Sequence, residues 1–196
     1  MKIDNPNILK FYGYNFINPK TLVLLLEYMP NGSIYSVLKK VRNNNPPPNF
    51  TSTKKYLIIK EIAEGMRYLH LQSIIHRDLK TDNILLDENF HPRICDFGIS
   101  YVSDLPCYTI RMEMPVGTPL YKAPEIISKQ LYSYKTDVYS YGVILYSIFN
   151  EKLPKQTIQN KVAGKPMRLS TASDSISEFC LSLIEKCLQF SPAERP

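Results

Sequence analysis

The chain has 196 residues, 44% of them apolar and 21% charged, with a formal net charge of +6. That composition excludes a disordered or fibrous chain and suits a globular domain with a sizeable core, whose basic balance favours anionic partners such as nucleotides and acidic peptides. There is no arginine-rich run or aromatic-spaced basic stripe, so nucleic acid is not expected as a partner, and the apolar runs, such as Leu22–Leu26, are too short to span a bilayer.

In chain order, MKIDNPNILK has a cationic start with no apolar stretch after it, so no signal peptide is expected. The segment NILKFYGYNFINPKTLVLLLEYM reads as two strands rich in aromatic and branched residues, with Asn18, Pro19 and Lys20 forming the turn. PNGS breaks the pattern, and IYSVLKKV reads as a short helix. RNNNPPPN at 42–49 cannot extend it, because consecutive prolines lack N–H groups and clash with a helical turn. Thr51 or Ser52 then caps a helix in which Tyr56, Ile59, Ala63, Met66 and Leu69 share one face. NILLD and PRICD read as two short strands around the ENFH turn. A Pro- and Gly-punctuated segment runs to Glu125. KTDVYSYGVILYSIFN is apolar almost all round, as a buried central helix would be, and ISEFCLSLIEKCLQF is the last helix. The four cysteines, Cys95, Cys107, Cys180 and Cys187, make no C-x-x-C pair and have no histidines at zinc spacing. They are expected to be reduced thiols of a cytoplasmic protein, with Cys180 and Cys187 packed as small hydrophobes.

The chemistry concentrates in HRDLKTDN at 76–83 and DFG at 96–98. Asp78 can accept a proton and Lys80 carries a positive charge beside it. Asn83 and Asp96 offer a neutral and an anionic oxygen, a set that suits a hard cation such as Mg²⁺ bound together with substrate phosphates. Phosphoryl transfer needs these parts: a metal against phosphate charge, a lysine on the transferred group and a carboxylate that orients the attacking hydroxyl. Gly98 is expected to free the backbone after Asp96.

Taken together these stretches resemble the eukaryotic protein kinase domain. NPNILKFYGY resembles the entry to its fourth strand, LLLEYMPNGSI the hinge, HRDLKTDN the catalytic loop and DFG the magnesium loop. GTPLYKAPE resembles the end of the activation segment, DVYSYGVILYSI the central helix of the large lobe and SPAERP its closing arginine motif. The matches run in the family's order across nearly the whole chain. The resemblance implies an α+β, protein-kinase-like fold: a mainly helical C-terminal lobe with a truncated small β lobe, residues 1–29 being the small-lobe remnant and hinge and 30–196 the large lobe.

The resemblance also implies roles. Asp78 would orient the substrate hydroxyl and Lys80 would contact the transferred phosphate. Asn83 and Asp96 would hold Mg²⁺. The backbones of Glu27 and Met29 would bind the adenine of ATP, with Leu26 behind it and Leu85 beneath. Arg77 would receive a phosphate from the activation segment, where Tyr108 and Thr109 are the candidate sites. Glu125 would pair with Arg195, and Asp137 would hold the backbone of the catalytic loop. Phe11, His76 and Phe97 would stack as a spine. The lysine of HRDLK and Thr118, which would bridge Asp78 and Lys80, resemble the Ser/Thr-specific kinases. The hinge and central-helix wording resembles the tyrosine-kinase-like group.

The family also covers ATP with a glycine-rich loop, a strand lysine and a helix glutamate. Here the seven glycines, at 13, 32, 65, 98, 117, 142 and 164, form no G-x-G, and no lysine before the hinge sits in a VAIK-like strand. Three expectations therefore stand together: a Ser/Thr kinase acting on protein substrates with ATP and Mg²⁺, a pseudokinase-like module that docks partners on its helical lobe, and a portion of a longer kinase.

Overall fold

The computed structural model describes residues 3–102, 109–111, 116–155, 158–165 and 176–196. The first elements are strands β1 (Phe11–Asn18) and β2 (Thr21–Leu26), an antiparallel ribbon pairing Phe11 with Leu26, Tyr14 with Leu24 and Phe16 with Leu22. The connection carries its own lock, since the Asn18 side chain accepts the Lys20 N–H at 3.0 Å. Strand periodicity places Tyr14, Phe16, Leu22 and Leu24 on one face, and that face is open to solvent.

Helix α1 (Ile34–Arg42) starts at Ser33, whose side chain accepts the Ser36 N–H. Its Ile34, Val37 and Leu38 point inward, and the Asn- and Pro-rich loop ends it. Helix α2 (Ser52–Leu71) is capped by Thr51, whose hydroxyl accepts the Lys54 N–H. Ile58, Ile59, Ile62, Met66 and Leu69 form its buried stripe.

After α2 the chain passes through β3 (Ile74–Ile75), a single 3₁₀ turn at Thr81–Asn83, β4 (Ile84–Leu86) and β5 (Pro92–Ile94). β4 and β5 pair antiparallel, Ile84 opposite Ile94 and Leu86 opposite Pro92, so the loop before β4 and the loop after β5 emerge side by side. β6 (Tyr101–Val102) pairs with β3. β7 (Ile110–Arg111) pairs with β8 (Leu131–Tyr132), and the short helix α3 (Pro124–Lys129) comes just before β8.

Helix α4 (Tyr134–Asn150) is the axis of the domain, buried continuously from Tyr139 to Phe149. Full burial of an Ile or Leu side chain contributes about 1.5–3 kcal/mol, and Ile144, Leu145 and Ile148 are at most 1% exposed. Two polar side chains inside it are satisfied: Tyr141 donates to the Ile59 carbonyl at 2.8 Å and Ser147 to the Val143 carbonyl at 2.7 Å, whereas the Tyr134 hydroxyl, at its start, is buried with no hydrogen-bond partner among the described residues. Helices α5 (Ile158–Val162) and α6 (Glu178–Cys187) complete the lobe, α6 packing on α4 with Cys180 and Cys187 buried. The architecture is α+β, a helical lobe with small two-stranded sheets, and among the described residues no helix is long and apolar enough to cross a membrane.

Candidate functional site

The β4–β5 pair brings two loops together: residues 76–83 before β4 and residues 95–98 after β5. Asp78 stands in the first. Its Oδ2 lies 2.7 Å from the Lys80 ammonium, and its Oδ1 accepts both the Thr118 N–H, at 2.8 Å, and the Thr118 hydroxyl, at 2.9 Å. Lys80 also donates to the Thr118 hydroxyl, at 3.1 Å. Burial alone would raise the Asp78 pKa, but the bonds from Lys80 and Thr118 and the Lys80 charge outweigh it and hold the carboxyl below its ordinary value. Asp78 is therefore an ionised, oriented acceptor.

Asn83 is buried and donates its amide to the Asp78 carbonyl at 2.9 Å and to Asp78 Oδ2 at 3.2 Å. Those bonds fix the amide orientation and leave its side-chain carbonyl oxygen without a hydrogen-bond partner among the described residues. Asp96 is exposed, and its backbone is left-handed at φ 64°. The expectation for Gly98 is corrected here. Among the glycines only Gly32, Gly117 and Gly164 have positive φ, so Asp96 itself makes the turn and Gly98 follows, donating its N–H to Asp96 Oδ1 at 3.4 Å. Asp tolerates the left-handed region because its short polar side chain bonds locally.

Beneath this loop lies Asp137, in the first turn of α4 and 2% exposed. Its carboxylate accepts the His76 N–H at 2.9 Å, the Arg77 N–H at 3.0 Å and the His70 Nε2 at 2.9 Å. Burial would raise its pKa; the His70 hydrogen bond, the neighbouring histidine charges and the His76 N–H more than offset this and lower it. The arrangement lets Arg77 keep a left-handed backbone at φ 68°. The Arg77 Nε donates to the Ile99 carbonyl, its guanidinium lies 5.7 Å from the Tyr132 ring, and its Nη1 is buried with no partner among the described residues.

His76 stacks on Phe97 with ring centroids 5.2 Å apart and bonds the Cys95 carbonyl at 3.0 Å. The third expected member of that stack is absent from it: Phe11 is 54% exposed and makes no ring contact among the described residues. The reason is its place on β1, in a ribbon with both faces open.

At the expected hinge, Glu27 donates its N–H to the Lys10 carbonyl at 2.9 Å, while its carboxylate lies 3.6 Å from Arg93 Nε. Met29 is buried and its carbonyl accepts the Gly32 N–H at 3.1 Å. Leu26 ends β2, 44% exposed, and Leu85 is half-buried on β4. Thr109 is exposed just before β7, and Tyr108 lies outside the described residues, as does Cys107. Glu125 opens α3 and meets the fully buried Arg195 in a fork, Nη1 to Oε1 at 2.6 Å and Nη2 to Oε2 at 2.8 Å.

Sequence reasoning missed three supports. His70 reads as an ordinary residue of α2, yet it bonds Asp137. Tyr132 drew no expectation, yet its hydroxyl accepts the Val116 N–H at 2.8 Å and donates to the Val116 carbonyl at 3.0 Å. Gly117 stands at φ 95° where a Cβ would come within 2.6 Å of the Arg77 carbonyl, so only glycine lets Thr118 reach Asp78. The turn-forming GTP triplet was the available signal for the last.

Residues 1–196 match the protein kinase domain family model. A "Probable serine/threonine-protein kinase" of Dictyostelium discoideum is 36% identical over 184 residues, which is 91% of this chain and 19% of that protein. The RGS domain-containing serine/threonine-protein kinase A of the same organism is 37% identical over 182 residues, 88% of this chain and 15% of that protein. A serine/threonine-protein kinase of Arabidopsis thaliana is 37% identical over 153 residues, 78% of this chain and 25% of that protein. The chain thus spans a quarter or less of the length of these three relatives.

Proposed function

The chain belongs to the protein kinase domain family, and from that premise we propose that it transfers the γ-phosphoryl group of ATP to Ser and Thr hydroxyls of protein substrates. The observation that carries the reading is the triangle of Asp78, Lys80 and Thr118 beside Asn83. An acceptor hydroxyl donates to the Asp78 carboxylate, which orients its oxygen toward phosphorus and receives its proton as the new P–O bond forms and the bond to ADP breaks. Lys80 faces the charge on the transferred group. Asn83 and Asp96 would hold Mg²⁺, whose chemistry when bound is to neutralise phosphate charge. The free Asn83 oxygen and the exposed Asp96 carboxylate form a donor set that fits such a hard cation. The Glu27 and Met29 backbones would take adenine between Leu26 and Leu85, with residues 1–29 serving as small lobe and hinge.

The wording EYMPNGSI and DVYSYGVILYSI supports the tyrosine-kinase-like group, whose members mostly modify Ser and Thr, and with it a cytoplasmic role in signal transduction. Arg77 supports a regulatory step: its unpartnered Nη1 is a receptor for a phosphate at Tyr108 or Thr109. Equal activity of phosphorylated and phosphatase-treated protein would remove that step. The function itself is tested with matched Ser, Thr and Tyr peptides and labelled Mg-ATP. Label on Ser and Thr peptides is expected; label confined to Tyr peptides would overturn the substrate class.

A non-catalytic binding module is the second reading, favoured by the open apolar β1–β2 ribbon, where Tyr14 is 67% and Leu25 62% exposed. Absence of both transfer and any Mg-ATP-induced rise in melting temperature would select it.

A further inference from the structure

Helix α5 carries a lysine that is buried rather than solvated. Lys161 is 2% exposed. Its ammonium donates to the carbonyl of Pro119 at 3.4 Å, to that of Lys122 at 3.0 Å, and to that of Leu120. Among the described residues no carboxylate lies within ion-pair distance of it. A buried charge without a counter-ion is costly, and here three carbonyl dipoles and the Tyr139 ring, 5.1 Å away, compensate it.

The segment so held begins at the residue that touches the reacting carboxylate. Thr118 bonds Asp78 and Lys80, and its carbonyl accepts the Tyr121 N–H at 3.0 Å. The Tyr121 carbonyl accepts the Ser140 hydroxyl at 2.9 Å, and the Tyr121 hydroxyl bonds Thr81 at 2.7 Å. Every carbonyl from 118 to 122 is thereby accounted for, and Lys161 alone takes three of them. Among the described residues no regular sheet or helix holds the carbonyls of residues 119, 120 and 122; the Lys161 side chain does. The outer side of the segment is open, with Pro119 exposed. Because Thr118 bonds Asp78, this open side adjoins the place where an acceptor hydroxyl would be held.

We propose that Lys161 is a positioning residue for the protein substrate, fixing the backbone of residues 119–122 as the shelf that receives the chain next to the acceptor hydroxyl. The assignment rests on the kinase reading and deepens it. Three carbonyls take three N–H bonds from an ammonium, whereas a neutral amine has two N–H groups and a lone pair that faces the third carbonyl. Burial lowers the Lys161 pKa to about 8, so the shelf loosens within an accessible range. The groups that face it are Tyr139, whose hydroxyl burial pushes up and away from this range, and Lys122, also lowered by burial; Arg195, paired with Glu125, lies 5.0 Å from the same Tyr139 ring.

The test measures peptide and ATP kinetics of the purified protein as wild type, Lys161→Met, Lys161→Arg and Asp78→Asn. Lys161→Met is expected to raise the peptide KM tenfold or more, with the ATP KM within twofold of wild type. Lys161→Arg, which keeps several donors, is expected to restore most of it. Between pH 7 and 9 the wild-type peptide KM should rise, and this limb should vanish in Lys161→Arg. A limb that persists there belongs to another group, Lys122 foremost, and overturns the assignment. An unchanged peptide KM in Lys161→Met, with wild type active, overturns the assignment and leaves the kinase reading intact. Wild type without Asp78-dependent transfer removes both. Should Lys161→Met fail to fold, the pH comparison between wild type and Lys161→Arg decides alone.

Discussion

Replacing Glu125 with alanine should destabilise the domain far more than removing any surface carboxylate. A guanidinium has five N–H donors, and all five of Arg195 are used: Nε on the Gln189 carbonyl, Nη1 on Glu125 and the Lys135 carbonyl, Nη2 on Glu125 and the Phe190 carbonyl. The Arg195 side chain is 0% exposed and that of Glu125 10%. Glu125→Ala leaves two buried donors empty and the charge uncompensated, a change that costs about 3–5 kcal/mol. For a domain of this size each kcal/mol moves the melting temperature by about 2–4 °C, so the expected fall is roughly 6–20 °C. The control is Glu64→Ala, which breaks a pair with Lys60 at 3.4 Å whose side chains are 50% and 72% exposed; it should cost about 0.3–0.5 kcal/mol. Thermal and urea unfolding read both variants. Equal losses, or a loss under about 1 kcal/mol for Glu125→Ala, would refute the reasoning that burial makes this pair indispensable.

Other outcomes follow from the same geometry. Asp137 has its pKa lowered from 3.8 by its donors, so it contributes stability above that value that is lost as pH falls through the folded pKa. Urea midpoints between pH 2 and 6 should therefore fall less steeply in Asp137→Asn, and an identical acid limb would count against the buried carboxylate. Thr118→Val removes a hydroxyl bonded to two charged groups, each such bond contributing about 1.5–3 kcal/mol. It should lower kcat by roughly ten- to a hundredfold, and an unchanged kcat would exclude the triangle from the reaction. Gly117→Ala must displace the Arg77 carbonyl or the backbone at 117, and should lower activity at least as much as Thr118→Val; wild-type kinetics would show that the loop tolerates a Cβ there.

Much of this site was legible because its parts are close in sequence. Asp78, Lys80 and Asn83 fall within six residues, and the short β4–β5 hairpin makes the return to Asp96 a local event. Helix α2 was legible from its periodicity and α4 from its apolar run, and α1 and α6 were also expected, whereas the short α3 and α5 were not. What stayed hidden depends on contacts across long separations. Lys161 sits in a helix of five residues, too short to show an apolar face, and a lysine there reads as solvated until residues 119–122 are seen around it. Likewise β6, β7 and β8 have two residues each; their pairing comes from the tertiary packing, not from strand propensity. The resemblance implied that Phe11 stacks with His76 and Phe97, whereas its burial depends on what lies against the ribbon. Asp96 in place of Gly98 as the left-handed residue reflects local side-chain bonding that residue type alone does not reveal.

The central claim is that Asp78 orients an acceptor hydroxyl for phosphoryl transfer. The most direct measurement is incorporation of labelled γ-phosphate into a Ser/Thr peptide by wild type and by Asp78→Asn, prepared side by side and with matched melting temperatures. The account predicts Mg²⁺-dependent incorporation that drops at least about a hundredfold in Asp78→Asn. Incorporation that persists undiminished in Asp78→Asn, or none by wild type, would contradict it.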